Sequence, residues 1–304
     1  MDILFINPGS SKEVYQGLST DYAGIGTPYW ALLLSQSCRS QGYKVGILDI
    51  LAEGISRKDA VERIKTLNPR LISVCVYGEN VNSGTTQMSG AIKLANLIKE
   101  SGIDIPISFV GSHVQALPYK VLNEEPNIDI IFTNEGVYSL WNILKLKDLT
   151  DKKQLETING IGFIKDGKPH LNQPEKIVPN DRMDLDLPGY AWDLLPYKET
   201  PFDLYRSPMW HGEYDHDKRT PYAALYTSLG CVFQCEFCMI NILNRDDNEE
   251  IGVAGNYNKM RFWSPEFIIK EFDKLIEMGV ETIRIADEMF LLNPKYYIPL
   301  VDLL

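Results

Sequence analysis

Residues 228–239 read Ser-Leu-Gly-Cys-Val-Phe-Gln-Cys-Glu-Phe-Cys-Met, and this run decides which fold the chain is expected to have. It spaces Cys231, Cys235 and Cys238 as C-x3-C-x2-C, on a loop that follows the apolar stretch 222–229. A 4Fe-4S cluster normally takes four cysteine ligands. Because no fourth cysteine follows in the sequence, a cluster on this loop would keep one iron open to a small molecule.

A structural zinc site is the alternative interpretation of the same cysteines. Zinc would need a fourth ligand, and the nearest histidines, His211 and His216, lie well upstream and outside a compact zinc pattern. Spacing and ligand count therefore favour the iron–sulfur cluster. The other two cysteines, Cys38 and Cys75, fall in a predicted helix and a predicted strand, so we interpret them as buried packing residues.

Composition limits the classes of protein that are possible. The 304 residues suffice for about two domains, and the apolar fraction of 44% is that of a globular protein with a real core. A formal charge of −11 argues against nucleic acid or an anionic membrane as partner. The sequence contains no apolar run long enough to span a bilayer and begins without a signal-peptide pattern. Clustered rather than paired cysteines indicate reduced thiols, and we expect a cytoplasmic protein.

Strand and helix patterns alternate along residues 1–145, the first predicted domain. The predicted strands are Ile3–Ile6, Lys44–Leu48, Leu71–Tyr77, Pro106–Val110 and Ile128–Phe132, and the helices between or after them are Tyr29–Gln41, Ser56–Leu67, Thr85–Glu100 and Val137–Leu144. This order predicts an α/β fold with a doubly wound, parallel, five-stranded sheet of the flavodoxin type.

Small and polar residues gather where these strands end. Ligands of such sheets bind outside the carboxyl ends of the strands, although turn-forming residues also prefer these positions. The candidate ligand-binding residues are Asn7, Pro8, Asp49, Leu51, Gly54, Tyr77, Gly111, Ser112, His113, Glu135 and Gly136.

Residues 146–220 are predicted to form a linker, and residues 221–304 the start of a second α/β domain. The linker contains a hairpin over 161–168 with an Asp-Gly turn, followed by an extended stretch, 179–201, packed across both domains. The second domain begins with a strand over 222–227, which places the cysteine loop at its carboxyl end. An inserted loop over 244–259, a helix starting at Ser264 and a strand over 281–285 follow.

The cysteine loop resembles that of the radical S-adenosylmethionine (AdoMet) enzymes. The resemblance implies that the three cysteines ligate a 4Fe-4S cluster, that its open iron chelates AdoMet, and that reduction yields a 5′-deoxyadenosyl radical. It places Phe237 against the adenine and Ala286-Asp287-Glu288 at the AdoMet amino group, which needs an acceptor. Alternatively, Asp287 or Glu288 caps the next turn.

The amino-terminal segment resembles the cobalamin-binding domain that precedes the catalytic domain in one radical AdoMet subgroup. The similar residues are Asp-Ile-Leu-Ala-Glu-Gly at 49–54, the run 110–118, Thr-Asn-Glu-Gly at 133–136 and the linker phrase 190–196. The resemblance implies that the strand-end residues above bind cobalamin. Leu51 stands where many cobalamin proteins carry a cobalt-ligating His, and an apolar side chain cannot ligate cobalt. We therefore expect cobalamin without a protein lower ligand, or a domain kept as a scaffold.

Together these resemblances imply a cobalamin-dependent radical AdoMet enzyme of the methyltransferase type. It would act on a small-molecule substrate with an external electron donor such as flavodoxin or ferredoxin. Cyclisation or rearrangement chemistry, a non-catalytic cobalamin- and cluster-binding fragment, and a zinc-stabilised binding protein are the alternatives. The sequence ends at Leu304 after two predicted barrel strands, so we expect a missing carboxyl-terminal segment and no turnover from this chain alone.

Overall fold

The structure is a computed structural model that describes residues 1–19, 24–78, 80–196, 205, 221–240 and 259–304. The strands are β1 Ile3–Asn7, β2 Val45–Asp49, β3 Leu71–Cys75, β4 Ile107–Val110, β5 Ile130–Phe132, β6 Ile161–Lys165, β7 Lys168–Leu171, β8 Tyr222–Leu225, β9 Ser228–Gly230, β10 Met260–Phe262 and β11 Thr282–Ile285. The α-helices are α1 Ser11–Tyr15, α2 Tyr29–Ser40, α3 Arg57–Leu67, α4 Thr85–Glu100, α5 Ser112–Ala116, α6 Pro118–Glu124, α7 Val137–Leu144, α8 Lys152–Leu155, α9 Met183–Asp186, α10 Pro265–Glu277 and α11 Pro294–Asp302.

The described residues contain a seven-stranded sheet in the order β2-β1-β3-β4-β5-β6-β7. Its first five strands pair in parallel, which confirms the predicted doubly wound α/β fold. Alternate residues of β1 face opposite cores. Ile3 and Phe5 belong to the core that holds α2 and α7, whereas Leu4 and Ile6 belong to the core that holds α3 and α4. Both faces of β1 are therefore fully buried.

The predicted hairpin is present, but it belongs to the sheet. Asp166 and Gly167 both have positive φ, 49° and 75°, as a tight two-residue hairpin turn requires. β6 pairs antiparallel with β5, with Ile131 opposite Gly162. The prediction of five strands and a hairpin confined to the linker was therefore wrong. The physical reason is that β5 would otherwise leave an unpaired edge, and the hairpin covers it.

The stretch after the hairpin packs across both regions, but it is not extended. Within the described residues it forms a 3-10 turn over Asn180–Arg182, the short helix α9, and a second 3-10 turn over Trp192–Leu194. On one side, Ser37 Oγ of α2 donates to the Asp186 carbonyl at 2.6 Å. On the other side, Trp192 Nε1 donates to Glu271 of α10 at 3.0 Å.

Residues 221–304 form two small sheets in the part that the structure describes. β8 pairs in parallel with β11, and β9 pairs antiparallel with β10. Ser264 caps α10 by accepting a hydrogen bond from the Phe267 N–H at 3.2 Å, as its sequence predicted. β10, with Arg261 at its centre, was not predicted, because three residues are too few to show the apolar–polar alternation that indicates a strand. The predicted inserted loop, 244–259, lies outside the described residues except for Lys259. His211 and His216 also lie outside the described residues.

Among the described residues, no helix is both long and apolar enough to cross a membrane.

Candidate functional site

The cysteine loop begins where β9 ends. Gly230 has a φ of 95° and immediately precedes Cys231, which is buried. Cys235 is exposed and Cys238 is half-buried, and the Cys238 N–H donates to the Cys235 carbonyl at 2.9 Å, which closes a tight turn between them. Buried Cys38 and Cys75, by contrast, lie in core positions, as predicted.

The donor chemistry of this loop fits a three-thiolate site. Burial raises the pKa of the Cys238 thiol, and Glu288, Cys231 and Cys235 raise it further. In the described ranges no group of three or more His, Cys, Asp or Glu side chains is arranged as a ready metal site. Phe237 is 81% exposed, so the outer side of the loop faces solvent.

Asp287 ties the end of β11 to the junction between β8 and β9. Its carboxylate accepts hydrogen bonds from the Thr227 N–H at 2.6 Å, from Thr227 Oγ1 at 2.7 Å and from Ser228 Oγ at 2.6 Å. Burial raises the pKa of Asp287. Both oxygens are thus engaged by the protein at the β8–β9 junction, which differs from the cap of the next turn that the sequence left open as an alternative. Ala286 lies in the sheet ladder, with its N–H donating to the Leu225 carbonyl at 2.8 Å.

Glu288 lines a small cavity between the two regions. Burial raises the pKa of the Glu288 carboxyl, and the nearby Val81 N–H, in the turn after β3, partly offsets this by lowering it. The same cavity is lined by Ser228, Leu229 and Gly230 before the cysteine loop and by Ile240 after it. Its enclosed volume is about 40 Å³, so it would take only one end of a molecule as large as AdoMet. The remainder would lie over the exposed cysteine loop.

A larger cavity of about 380 Å³ lies at the carboxyl ends of β1 and β3. Of the candidate cobalamin residues, Asn7, Leu51 and Tyr77 line it. Gln87 also lines it, and Gln87 Oε1 is buried without a hydrogen-bond partner among the described residues. A buried, unsatisfied acceptor is a place for a ligand N–H, and the corrin periphery carries amide N–H groups. The cavity therefore fits a portion of cobalamin.

The two cavities share one wall. Trp30, Tyr77, Gly78 and Asn80 line both of them. The rings of Trp30 and Tyr77 stack with centroids 4.8 Å apart and an interplanar angle of 16°. Sequence reasoning did not select Trp30, because in sequence it is one apolar residue at the start of an apolar helix.

Asp49 organises the turn that carries Leu51. Its buried carboxylate accepts hydrogen bonds from Asn7 Nδ2 at 2.9 Å, from the Tyr205 hydroxyl at 3.0 Å and from the Ala52 N–H at 3.2 Å. Burial is the largest influence and raises the pKa of Asp49 to about 6. Tyr205, which the sequence did not indicate, thus donates a hydrogen bond to the Asp49 carboxylate from a distant part of the chain.

The remaining candidates hold the backbone at the strand ends. Pro8 and Ser112 are buried, and Gly54 and Gly136 adopt positive φ in turns. At Gly111, with a φ of 152°, a Cβ would collide with the Val76 carbonyl, so only glycine allows these two strand ends to approach. None of these five residues lines the larger cavity as described.

His113 and Glu135 face protein partners. His113 Nδ1 lies 2.9 Å from Thr85 Oγ1, and burial lowers the pKa of this imidazole. Glu135 is buried and pairs with Arg261, with 2.7 Å between Glu135 Oε2 and Arg261 Nη2. The Glu135 carboxylate is therefore directed at β10 and lines the smaller cavity rather than the larger one.

Comparison with known proteins shows similarity along nearly the whole chain. Residues 15–143 match the family model described as the B12 binding domain. The uncharacterized methyltransferase PH0819 of Pyrococcus horikoshii is 25% identical over 300 residues, which cover 97% of this chain and 55% of that protein. An anaerobic magnesium-protoporphyrin IX monomethyl ester cyclase of Cereibacter sphaeroides is 22% identical over 98% of this chain and 42% of its own length.

Two solved structures share the fold. The cobalamin-dependent S-adenosylmethionine radical enzyme OxsB, with aqua-cobalamin and S-adenosylmethionine bound, matches with a TM-score of 0.65 and 19% identity over 95% of this chain and 34% of that chain. The radical S-adenosylmethionine methyltransferase TsrM of Kitasatospora setae matches with a TM-score of 0.64 and 15% identity over 99% of this chain and 50% of that chain. The chain thus spans about half, or less, of the length of these proteins.

These similarities define what the chain shares with known proteins. Residues 15–143 match the model of the B12 binding domain, and the chain shares the fold of the two solved enzymes over 95% and 99% of its length.

Proposed function

We propose that this chain carries the cofactor sites of a cobalamin-dependent radical AdoMet enzyme that methylates an unactivated carbon of a small molecule. The observation that supports it best is the wall shared by the two cavities. A methyl donor beside the cysteine loop and a cobalamin at the strand ends of the B12-binding domain would be separated only by Trp30, Tyr77, Gly78 and Asn80.

Each side chain of the site has a defined task in this proposal. Cys231, Cys235 and Cys238 would hold a 4Fe-4S cluster, and Glu288 would accept the AdoMet ammonium at the cavity rim. Asp287 would act indirectly, because it holds Thr227 and Ser228 at the start of the loop. Leu51 and Asn7 would face cobalamin without offering cobalt an imidazole. When bound, the cluster supplies electrons for AdoMet cleavage and cobalamin carries the methyl group.

The same proposal names partners and surroundings. The reaction needs a low-potential electron donor, and we expect a flavodoxin or ferredoxin. The cytoplasm, where thiols stay reduced, suits the cysteine loop. Cyclisation is the second candidate function, because a cyclase is among the relatives that match nearly the whole chain. Methyl transfer is preferred because methyltransferases are found both among the relatives and among the solved structures that match the chain.

The first test is metal binding by the anaerobically reconstituted chain. We expect iron and sulfide in cluster stoichiometry with broad brown absorbance, and we expect Cys235→Ala to abolish both because it removes one of three ligands. Cys38→Ala is the matched control, since Cys38 is a buried cysteine outside the loop. Circular dichroism should show that both variants keep the fold. Zinc without iron in the wild-type chain would contradict the proposal.

The second measurement separates methyl transfer from cyclisation. The reconstituted chain is loaded with cobalamin and given a strong reductant and AdoMet labelled in its methyl group. Methyl transfer predicts label on the protein-bound cobalamin. Cobalamin that binds but stays unlabelled would favour the cyclase, and failure of cobalamin to bind would favour the scaffold interpretation.

A further inference from the structure

A buried ion pair joins the carboxyl end of β5 to β10, across the junction between the two regions. Arg261 Nη2 lies 2.7 Å from Glu135 Oε2, and Nη1 lies 3.2 Å from Oε1. Their side chains are 5% and 3% exposed. The two residues are 126 positions apart in sequence. Because desolvation offsets much of the attraction in a buried pair, stability alone is a weak reason for it.

The backbone of the segment after the hairpin completes this pair. The Val178 N–H donates to Glu135 Oε1 at 2.6 Å, and the Val178 carbonyl accepts from Arg261 Nη1 at 2.7 Å. Next to it, the Phe262 N–H donates to Asn180 Oδ1 at 2.8 Å. β10 is therefore anchored to the B12-binding side of the molecule through both side-chain and backbone contacts.

The anchored strand leads directly to the cysteine loop. β10 pairs with β9 so that Arg261 lies opposite Leu229 and Met260 lies opposite Gly230. Cys231 is the next residue after β9. A shift of Arg261 would therefore be passed through one strand pair to the backbone of the first cysteine. Glu135, at the other end of the ion pair, lines the smaller cavity.

We propose that Glu135 and Arg261 are positioning residues that hold the cysteine loop at a set distance from the B12-binding sheet. This inference rests on the proposed function, because the set distance serves catalysis only if cluster and cobalamin both bind. Guanidinium and carboxylate meet in a two-point contact, which fixes orientation as well as separation. A neutral side chain of the same shape would keep the volume and lose that constraint.

The first test uses the chain without cofactors. Hydrogen exchange is compared between wild type, Glu135→Gln and the control Asp129→Asn, whose half-buried carboxylate pairs with Lys99 at the opposite end of β5 from Glu135. In Glu135→Gln we expect amides over 228–231 and 260–263 to exchange about tenfold faster, while β1 keeps its protection. Asp129→Asn should leave both segments unchanged. If Glu135→Gln does not fold, Arg261→Lys, which keeps the charge and loses the two-point geometry, should show a smaller increase.

The second test measures the distance itself. Wild type, Glu135→Gln and Asp129→Asn are loaded with cluster and cobalt(II) cobalamin, and dipolar electron paramagnetic resonance reports the separation of cobalt and reduced cluster. We expect one narrow distance distribution in wild type and in Asp129→Asn, and a broader one in Glu135→Gln at equal iron and cobalamin content. A purely structural pair would change cofactor content or global protection without broadening the distance.

The two tests separate failure of this inference from failure of the proposed function. If wild type takes up neither cluster nor cobalamin, the proposed function is contradicted. The hydrogen-exchange data then test only whether the ion pair anchors the loop. Wild type that binds both cofactors, with Glu135→Gln unchanged in exchange over 228–231 and in cobalt–cluster distance, overturns the inference. Equal loss of protection in β1 and β9 overturns it as well, because the pair would then support only the general fold.

Discussion

The seven-stranded sheet and the small sheets of residues 221–304 both carry candidate site residues just after the ends of strands, but they complete their sites differently. β1 is buried on both faces, whereas in β11 Thr282 is exposed and the next three residues are half-buried. The first sheet holds a cavity of about 380 Å³ on its own side of the molecule. The cavity beside the cysteine loop, by contrast, is lined partly by residues that follow strands of the first sheet.

Two contacts show this dependence. Asn82 Oδ1 accepts the Met239 N–H at 2.9 Å, and Glu135 binds Arg261. Both join strand-end segments of the seven-stranded sheet to the cysteine loop or its supporting strands. The comparison teaches that the first region lines its larger cavity with its own residues, whereas the second acquires its site geometry at the junction.

The largest expected effect is on stability, and it tests whether the first region is packed more tightly than the second. Phe5→Ala should lower the free energy of unfolding by about 3–5 kcal/mol, because it opens a cavity in a fully buried strand. Ile283→Ala in β11 should cost about 1–2 kcal/mol, because that side chain is only half-buried. Urea unfolding followed by circular dichroism measures both. Equal losses would show that the second region is as tightly built as the first.

An intermediate effect concerns the pH dependence of the scaffold. The pKa of Asp49 is about 6 in the folded chain, above the unfolded value of about 3.9, so the folded state holds this proton more tightly. The contribution of Asp49 to stability is therefore greatest below about pH 4, and it falls by about 3 kcal/mol as the pH rises through 6.

Asp49→Asn sharpens this prediction, because an amide keeps the shape without titrating. The stability of wild type relative to Asp49→Asn, measured by urea unfolding, should decline between about pH 4 and 6 and stay constant above about pH 7. Glu62→Gln, on the exposed face of α3, is the control and should not change the slope in this interval. A difference that is flat with pH would contradict the burial of the Asp49 carboxyl.

The smallest expected effect concerns one contact at the junction. Asn82→Ala removes the acceptor for the Met239 N–H and should cost about 0.5–1 kcal/mol, because the contact is solvent-exposed. Hydrogen exchange of the Met239 amide should accelerate severalfold, while the Leu4 amide in β1 should not change. Asn127→Ala removes a hydrogen bond to Asn96 within the first region and serves as the matched control. An unaltered Met239 amide would mean that the loop does not depend on this contact.

Much of the fold and part of the candidate site followed from local sequence patterns. Apolar runs and helical spacing indicated the five parallel strands and the helices between them, and the Asp-Gly pair indicated the hairpin turn. Cysteine spacing indicated the loop at the end of a strand. These features depend on neighbours in sequence, where backbone periodicity and turn chemistry act directly.

Only the tertiary structure decided which distant residues meet. It placed the hairpin on the edge of the sheet, brought Tyr205 to Asp49 across 156 positions and Arg261 to Glu135 across 126, and stacked Trp30 on Tyr77 as a wall between two cavities. The same residues are unremarkable in sequence: a tyrosine in a linker, an arginine in a short strand, a tryptophan in an apolar helix. Their pairing arises from burial, because a charged or polar group removed from water needs a partner, and packing alone determines which one is within reach.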